Sequence, residues 1–335
     1  MRLPLALAPL LLLCTAAASA DYGSHPKAAT LLERLRQEHG FSAAELDSVR
    51  AALSEAQRLP QLVEMEQKAP ERTETWTRYS SRIDQSRIDG GVAVLRDQQP
   101  FLDRAEEEFG VPPAVIAAIL GIETRYGRIT GNIRVLDALA TQGFEHPTRS
   151  AFFASELEHF FVFCRDFRRD PAAIKGSYAG AMGAAQFMPS NYRRLSLDYD
   201  GENGRDLWTL PDAVGSIGHY FMRYRPSQAW RRGEPLIIPA RLLAPLPAGT
   251  EVNGKATAYN AGALLRAGWL AADVDLPPDT PVGIIQLPLD DGSQEYWLAL
   301  HNFYTVMTYN PRTFYAMAVA QLAQRIQQRL AAEAR

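Results

Sequence analysis

Residues 112–122 constrain this chain more than any other stretch. Pro112 and Pro113 open a run in which Val115, Ile116, Ile119, Leu120 and Ile122 leave little polar surface on any side. Proline is accepted in a first helical turn, where its missing N–H has no bond to lose. A helix that is apolar all round has to be surrounded by other elements, so it belongs at the centre of a core. The run ends in Gly121-Ile122-Glu123-Thr124-Arg125-Tyr126-Gly127, where Glu123 stands between aliphatic turns and aromatic and glycine residues. Burial there would disfavour the charged carboxylate, raise its pKa and make it a proton donor near neutral pH. The ordinary alternative is a glutamate that caps the helix end or pairs with Arg125 or Arg128.

Helical patterning recurs on both sides of this run. Ser42 with Glu45 forms a capping box ahead of Leu46, Val49 and Leu53. Residues 71–90 are polar, carry Trp76 and Tyr79, and are expected to form a loop. Helix is expected over 91–109, interrupted or restarted at Pro100, and again over 150–166, 211–224 and 311–332. After Trp230 the character changes. Prolines 235, 239, 245 and 247 and the β-leaning stretches 236–238 and 282–287 predict a small β-rich insertion. The fold expected is mainly α, with a minor β subdomain near 231–299 and two or three domains in all.

Residues 176–190 form a second candidate segment, rich in glycine and alanine. Glycines let a backbone approach a ligand closely. Ser177 and Gln186 could orient sugar hydroxyl or acetamido groups, and Phe187 and Met188 could supply an apolar wall. Tight helix packing would favour the same small residues. A phosphate loop is excluded, because Lys175 precedes the glycines and no Lys-Ser/Thr ending follows.

The segments GIETRYGRITG, VLDALAT, FFASELEHF, KGSYAGAMGAAQFMPSNYRR and DLWTLPDAVGSIGHYF follow one another in order. Together they resemble the lytic murein transglycosylases of the B type, over residues 76–224 and again over 301–322. The resemblance implies a lysozyme-like α core with an N-terminal helical domain (21–110), a catalytic core (111–230), the β-rich insertion (231–299) and a C-terminal segment (300–335) that completes the cleft. It implies that Glu123 is the sole catalytic acid and base. Ser177, Gln186, Phe187, Met188, Arg149 and Tyr220 would face the glycan, as would Asn302, Tyr304, Tyr309 and Asn310. A second Tyr-Asn pair, Tyr259-Asn260, lies in a less similar region. The implied chemistry is non-hydrolytic cleavage between N-acetylmuramic acid and N-acetylglucosamine, closing a 1,6-anhydro ring. A hydrolytic muramidase and a non-catalytic wall-binding protein are the alternatives. Ala184, Ala185 and Asn203 depart from the family pattern.

Residues 198–206 alternate oxygen ligands as an EF-hand loop does at its start, with Asp198, Asp200 and Glu202 in the first three ligand positions. Asn203 stands where glycine is usual, and Thr209 where glutamate is usual. The resemblance makes Asp212 the last ligand of a longer loop, so a structural calcium ion is expected over residues 198–212. The alternative is a solvated acidic turn. No cofactor is expected for catalysis.

The remaining features bear on compartment and partners. Residues 1–20, with Arg2, an apolar stretch and Ala18-Ser19-Ala20, read as a cleaved signal peptide, hence a periplasmic protein. Acylation at Cys14 to give an outer-membrane lipoprotein is the rival, disfavoured because Leu13 precedes it. Cys164 is then the only cysteine of the mature chain, so no internal disulfide forms. The 35 basic and 38 acidic residues exclude an overall basic surface for nucleic acid. No later run is long enough to cross a membrane. His39, His146, His159, His219 and His301 lack zinc-ligand spacing, and Ser177 and Ser190 lack a nucleophile-elbow context. The partners expected are peptidoglycan glycan strands, for a monomeric enzyme that cell-wall synthesis or divisome proteins could recruit.

Overall fold

A computed structural model describes residues 21–67, 74–202, 204–272, 274 and 276–333. Residues 1–20 with Cys14, and Asn203 of the acidic loop, lie outside them. The apolar run forms helix α7 (Pro113–Thr124), and residues 114–121 are all buried. α5 (Gln85–Asp97), α6 (Gln99–Phe109), α11 (Leu210–Arg223) and α14 (Thr313–Glu333) pack around it. Each buried Val, Ile or Leu there contributes about 1.5–3 kcal/mol of transfer free energy, so α7 is the axis on which the other helices assemble.

Two more layers build outward. α8 (Val135–Glu145) and α9 (Ser150–Asp166) pack against each other, α1 (Pro26–His39) lies on α9, and α2 (Ala43–Glu55) lies on α1. The capping box of α2 is complete, with Ser42 and Glu45 bonded in both directions. Short α3 (Gln61–Gln67) meets α8. Cys164 of α9 is buried and unpaired, and its thiol pKa is raised by desolvation.

Residues 71–90 correct one expectation. They contain α4 (Trp76–Ser80) and the first turns of α5, whose N-cap Asp84 accepts from the Arg87 N–H. Gly90 and Gly91 are both helical, at positions where no larger side chain fits. A Cβ on Gly90 would come within 2.5 Å of the Tyr126 ring, and one on Gly91 within 2.3 Å of Ile326. The pair lets α7 and α14 approach α5 closely.

The β-rich insertion holds β3 (Ile237–Leu242), β4 (Tyr259–Asn260), β5 (Leu270–Ala272), β6 (Pro281–Pro288) and β7 (Gln294–Ala299), with α12 (Ala261–Arg266) against β4 and β5. They make one antiparallel sheet in the order β4-β6-β7-β3-β5. Side chains alternate across a strand, and here both faces are apolar. Ile238, Ile284 and Leu298 join a small core with Leu264 of α12. Ile237, Ile285, Leu287 and Ala299 instead join the main helical core. That double burial is why residues 282–285 carry no polar side chain on either face.

A two-stranded ladder sets the site. β1 (Ile133–Arg134) pairs with β2 (Lys175–Gly176), bringing the small-residue loop beside the end of α7. α10 (Pro189–Leu195) follows that loop, and α13 (His301–Tyr309) returns from the insertion to the main core. Among the described residues no helix is long and apolar enough to cross a membrane.

Candidate active site

α7 ends abruptly. Arg125 and Tyr126 adopt positive φ (49° and 63°), followed by Gly127, and the Tyr126 N–H bonds to Leu120 O in a left-handed helix stop. Thr124 Oγ1 donates to Ala184 O at 2.8 Å and accepts from the Gly127 N–H. This hydroxyl ties the helix end to the glycine-alanine loop. Glu123, one residue earlier, is thereby held at the edge of the core, partly buried.

Burial pushes the Glu123 pKa up to about 7, opposed only by a hydrogen bond from Tyr315, whose hydroxyl donates to Oε1 at 2.6 Å. No arginine perturbs it. Arg125 turns instead to Asp84, at 3.4 Å. Among the described residues the Tyr315 hydroxyl is the hydrogen-bond partner of its carboxylate.

Tyr315 belongs to a set of rings. It stacks on Tyr309 at 6.5 Å and 9°, and Tyr309 packs on Tyr220 at 4.8 Å. The Tyr309 hydroxyl donates to Ala185 O, and that of Tyr220 to Thr308 O at 2.7 Å. Burial and the nearby Glu123 charge hold Tyr309 and Tyr315 well above the ordinary phenol range, so both remain protonated. Tyr315 was not singled out in the sequence. Its only signal is an aromatic residue soon after the helix-breaking Pro311, and nothing local links it to a glutamate 192 positions away.

The loop residues divide by role. Gln186, in a left-handed conformation (φ 51°), donates its amide to Thr130 O and Gly183 O at 3.0 and 2.9 Å, which leaves Oε1 as acceptor. Ser177 Oγ accepts from the N–H groups of Ala179 and Ala181, closing the turn. Phe187 is buried and backs Tyr220 and Tyr309. Met188, Arg149, Tyr220 and Tyr309 line a cavity of about 800 Å3. Asn310 follows Tyr309 as the C-cap of α13.

Two expected cleft residues lie elsewhere. Asn302 is fully buried and spends its amide on the insertion, donating to Arg231 O and Glu234 O at 2.8 and 2.7 Å and accepting from the Arg231 N–H. With its donors used this way it is a structural clasp. Tyr304 is buried against β6, where a Cβ on Gly283 would fall 1.8 Å from its hydroxyl. The two stand two places apart on α13, about 200° around the helix axis, so each meets a different part of the insertion. Tyr259 sits in β4, bonded to Glu251.

In the acidic loop, carboxylate oxygens of Asp198, Asp200 and Asp212 lie within 4.8 Å of one another. Glu202 is exposed and not part of this group. Asp212 also accepts the N–H groups of Tyr199 and Asp206, both at 2.6 Å, so it closes the loop on itself.

A helical core that ends in one desolvated carboxylic acid, beside a tyrosine wall and a glycine-alanine loop, is the arrangement of the lysozyme-like class. The chain belongs to the Transglycosylase SLT domain family, whose pattern matches residues 23–324. It is 38% identical over 322 residues to membrane-bound lytic murein transglycosylase B of Escherichia coli (strain K12), covering 91% of this chain and 84% of that one. Among solved structures it resembles Escherichia coli lytic transglycosylase SLT35, described in complexes with bulgecin A and with calcium. The identity is 36% and the TM-score 0.81, over 93% of this chain and 96% of the other. It also resembles lytic transglycosylase SltB1 of Pseudomonas aeruginosa, at 35% identity and a TM-score of 0.83, over 92% and 100%. The chain is a lytic transglycosylase acting on murein.

Proposed function

We propose that Glu123 carries the whole acid–base cycle in cleaving the β-1,4 bond between N-acetylmuramic acid and N-acetylglucosamine. The observation that supports this is one carboxyl group at the end of the central helix, bonded to the Tyr315 hydroxyl, with its pKa raised to about 7 by burial. Protonated Glu123 donates to the bridging oxygen, and the bond to the muramic C1 breaks as oxocarbenium character develops. The ionised carboxylate then takes the proton of the C6 hydroxyl, whose oxygen closes on C1 to give the 1,6-anhydro end. Water is not consumed. Tyr315 steadies the ionised form between the two steps through its bond to Oε1. Gln186 Oε1 and the Tyr309 and Tyr220 wall hold the sugars.

Muropeptide mass spectrometry after digesting sacculi with the wild type and with Glu123→Gln tests this. Anhydromuramyl products that disappear with the variant are expected, whereas reducing muramic ends would mean hydrolysis.

The acidic loop fits a structural calcium ion held by Asp198, Asp200 and Asp212, remote from proton transfer; the calcium complex of the solved relative supports this. A cell-envelope location, periplasmic in detail, is supported by the membrane-bound relative and by the leader-like composition of residues 1–20.

A further inference from the structure

A second cavity, of about 450 Å3, opens where three distant segments meet: α4, the β6–β7 hairpin and α14. Its walls are fastened to one another. The Asp290 N–H of the hairpin donates to Thr77 Oγ1 at 3.2 Å, and the Asp290 carboxylate meets Thr75 and Arg78. Trp76 of α4 is buried behind the cavity, its ring 5.4 Å from that of Phe314, the chain neighbour of Tyr315. α14 thus carries the bond to Glu123 near its start and this cavity further along, about 9–20 Å from Tyr315 along the helix axis.

The lining is mostly neutral and hydrogen-bonding. Gln321, Gln324 and Gln328 stand three and four residues apart, so they form one row on α14. Among the described residues none of the three amides has a hydrogen-bond partner within the protein, although Gln321 and Gln324 are partly buried. Trp297 of β7, also partly buried, gives the cavity part of its indole ring. The charged groups of the lining are engaged: Glu295 accepts from the Trp297 Nε1–H at 2.6 Å, and Arg325 donates to Ile83 O at 3.3 Å.

These groups select the occupant. Each glutamine amide offers two donors and an acceptor side by side, and an indole face offers an apolar plate. A ligand that matches both is neutral, carries hydroxyl and amide groups, and has a flat C–H face, which describes an N-acetylhexosamine. An anion would meet only an arginine already bonded to backbone, and an apolar segment would leave three amides without partners. We propose that this cavity is a second glycan site, which holds N-acetylhexosamine units of murein away from the scissile bond. The enzyme then grips its polymer at two places, and this grip is the same whether Glu123 closes an anhydro ring or activates water.

Two measurements on the Glu123→Gln protein, used so that strands stay whole, test the proposal. The first is a series of 15N–1H spectra during titration with a β-1,4 N-acetylglucosamine tetramer. Saturable shifts of the Trp297 indole and of the Gln321, Gln324 and Gln328 side-chain amides are expected; if these signals stay where they are, the proposal is overturned. The second is the Kd for peptide-free strands of increasing length and for sacculi, with and without Gln321→Ala, Gln324→Ala and Gln328→Ala together. Alanine keeps the helix, and the lost amides bond nothing inside the protein. Affinity is expected to fall about tenfold where two sites are engaged. A fall on long soluble strands means one strand crosses both sites, and a fall on sacculi alone means a neighbouring strand fills the second. Unchanged affinity for both, or an equal fall at every strand length, overturns the proposal. Shortening of the strands by the Glu123→Gln protein would instead count against the role of Glu123, and the spectra would still decide this site.

Discussion

Glu123 carries a cost in stability that its variant exposes. An ordinary glutamate titrates near 4.3, but here burial holds the proton up to about 7. Between those values the folded state binds more protons than the unfolded chain. Stability from this residue is therefore fully present below about pH 4.3 and lost as pH rises through about 7. Glu123→Gln cannot ionise, so it should exceed the wild type in stability at pH 8 by about 1–3 kcal/mol, with the difference vanishing near pH 4. Thermal melts at the two pH values check this, and activity should fall by about 10²–10⁴-fold. Tyr315→Phe removes the bond that favours the ionised form, so the Glu123 pKa should move further up. The alkaline limb of kcat/KM should shift upward while kcat falls about tenfold, read from a pH–rate profile. A merely structural tyrosine would lower stability without moving that limb. Glu123 was legible because an acid at the end of an aliphatic helix breaks a strong pattern. Tyr315 was not, because its role exists only once α14 has packed against α7.

At the scale of elements, legibility followed the strength of the local signal. The bounds of α7 and α9 could be read from prolines and unbroken periodicity. The first turns of α5 could not, since their glycines are dictated by Tyr126 and Ile326, distant in sequence. β5 and β7 were also missed. β5 is only three residues long and β7 opens on the polar Gln294 and Glu295, and both are fixed by pairing with β3 and β6. The acidic loop between α10 and α11 shows a further limit, because its alternating acids gave ligand types while only the fold showed Glu202 outside the group. If Asp198, Asp200 and Asp212 hold calcium, the ion stabilises the folded state by mass action. At a hundredfold excess over Kd the gain is about 2.7 kcal/mol. Differential scanning calorimetry with calcium and with chelator should show a Tm rise in the wild type and none in Asp200→Asn. An unchanged wild-type Tm would leave the loop as an acidic turn closed by the backbone bonds of Asp198, Asp200 and Asp212.

For the whole molecule, the question is how a β insertion is fastened to a helical enzyme without disturbing its acid. The sheet presents Ile237, Ile285, Leu287 and Ala299 to the main core, and α13 answers with Asn302, bonded to the insertion backbone, and Tyr304, pressed on Gly283. The resemblance placed Asn302 and Tyr304 in the cleft together with Tyr309, which shares their helix. The neighbouring elements decide otherwise, since Asn302 meets the backbone of Arg231 and Glu234 and Tyr304 meets Gly283 of β6. This placement makes a paired prediction. Gly283→Ala sets a Cβ 1.8 Å from the Tyr304 hydroxyl, an overpacking that should cost about 1–3 kcal/mol. Tyr304→Phe removes a buried hydroxyl that has no hydrogen-bond partner among the described residues, so by itself it should be close to neutral in stability. Combined with Gly283→Ala, it should recover at least half of the loss, because the clash is with the oxygen it deletes. Denaturant melts of the two single variants and the double give the coupling directly. Activity on murein provides the second reading. A cleft tyrosine would lose turnover on becoming phenylalanine, whereas a tyrosine that only seats the insertion should leave the pH–rate profile set by Glu123 where it was.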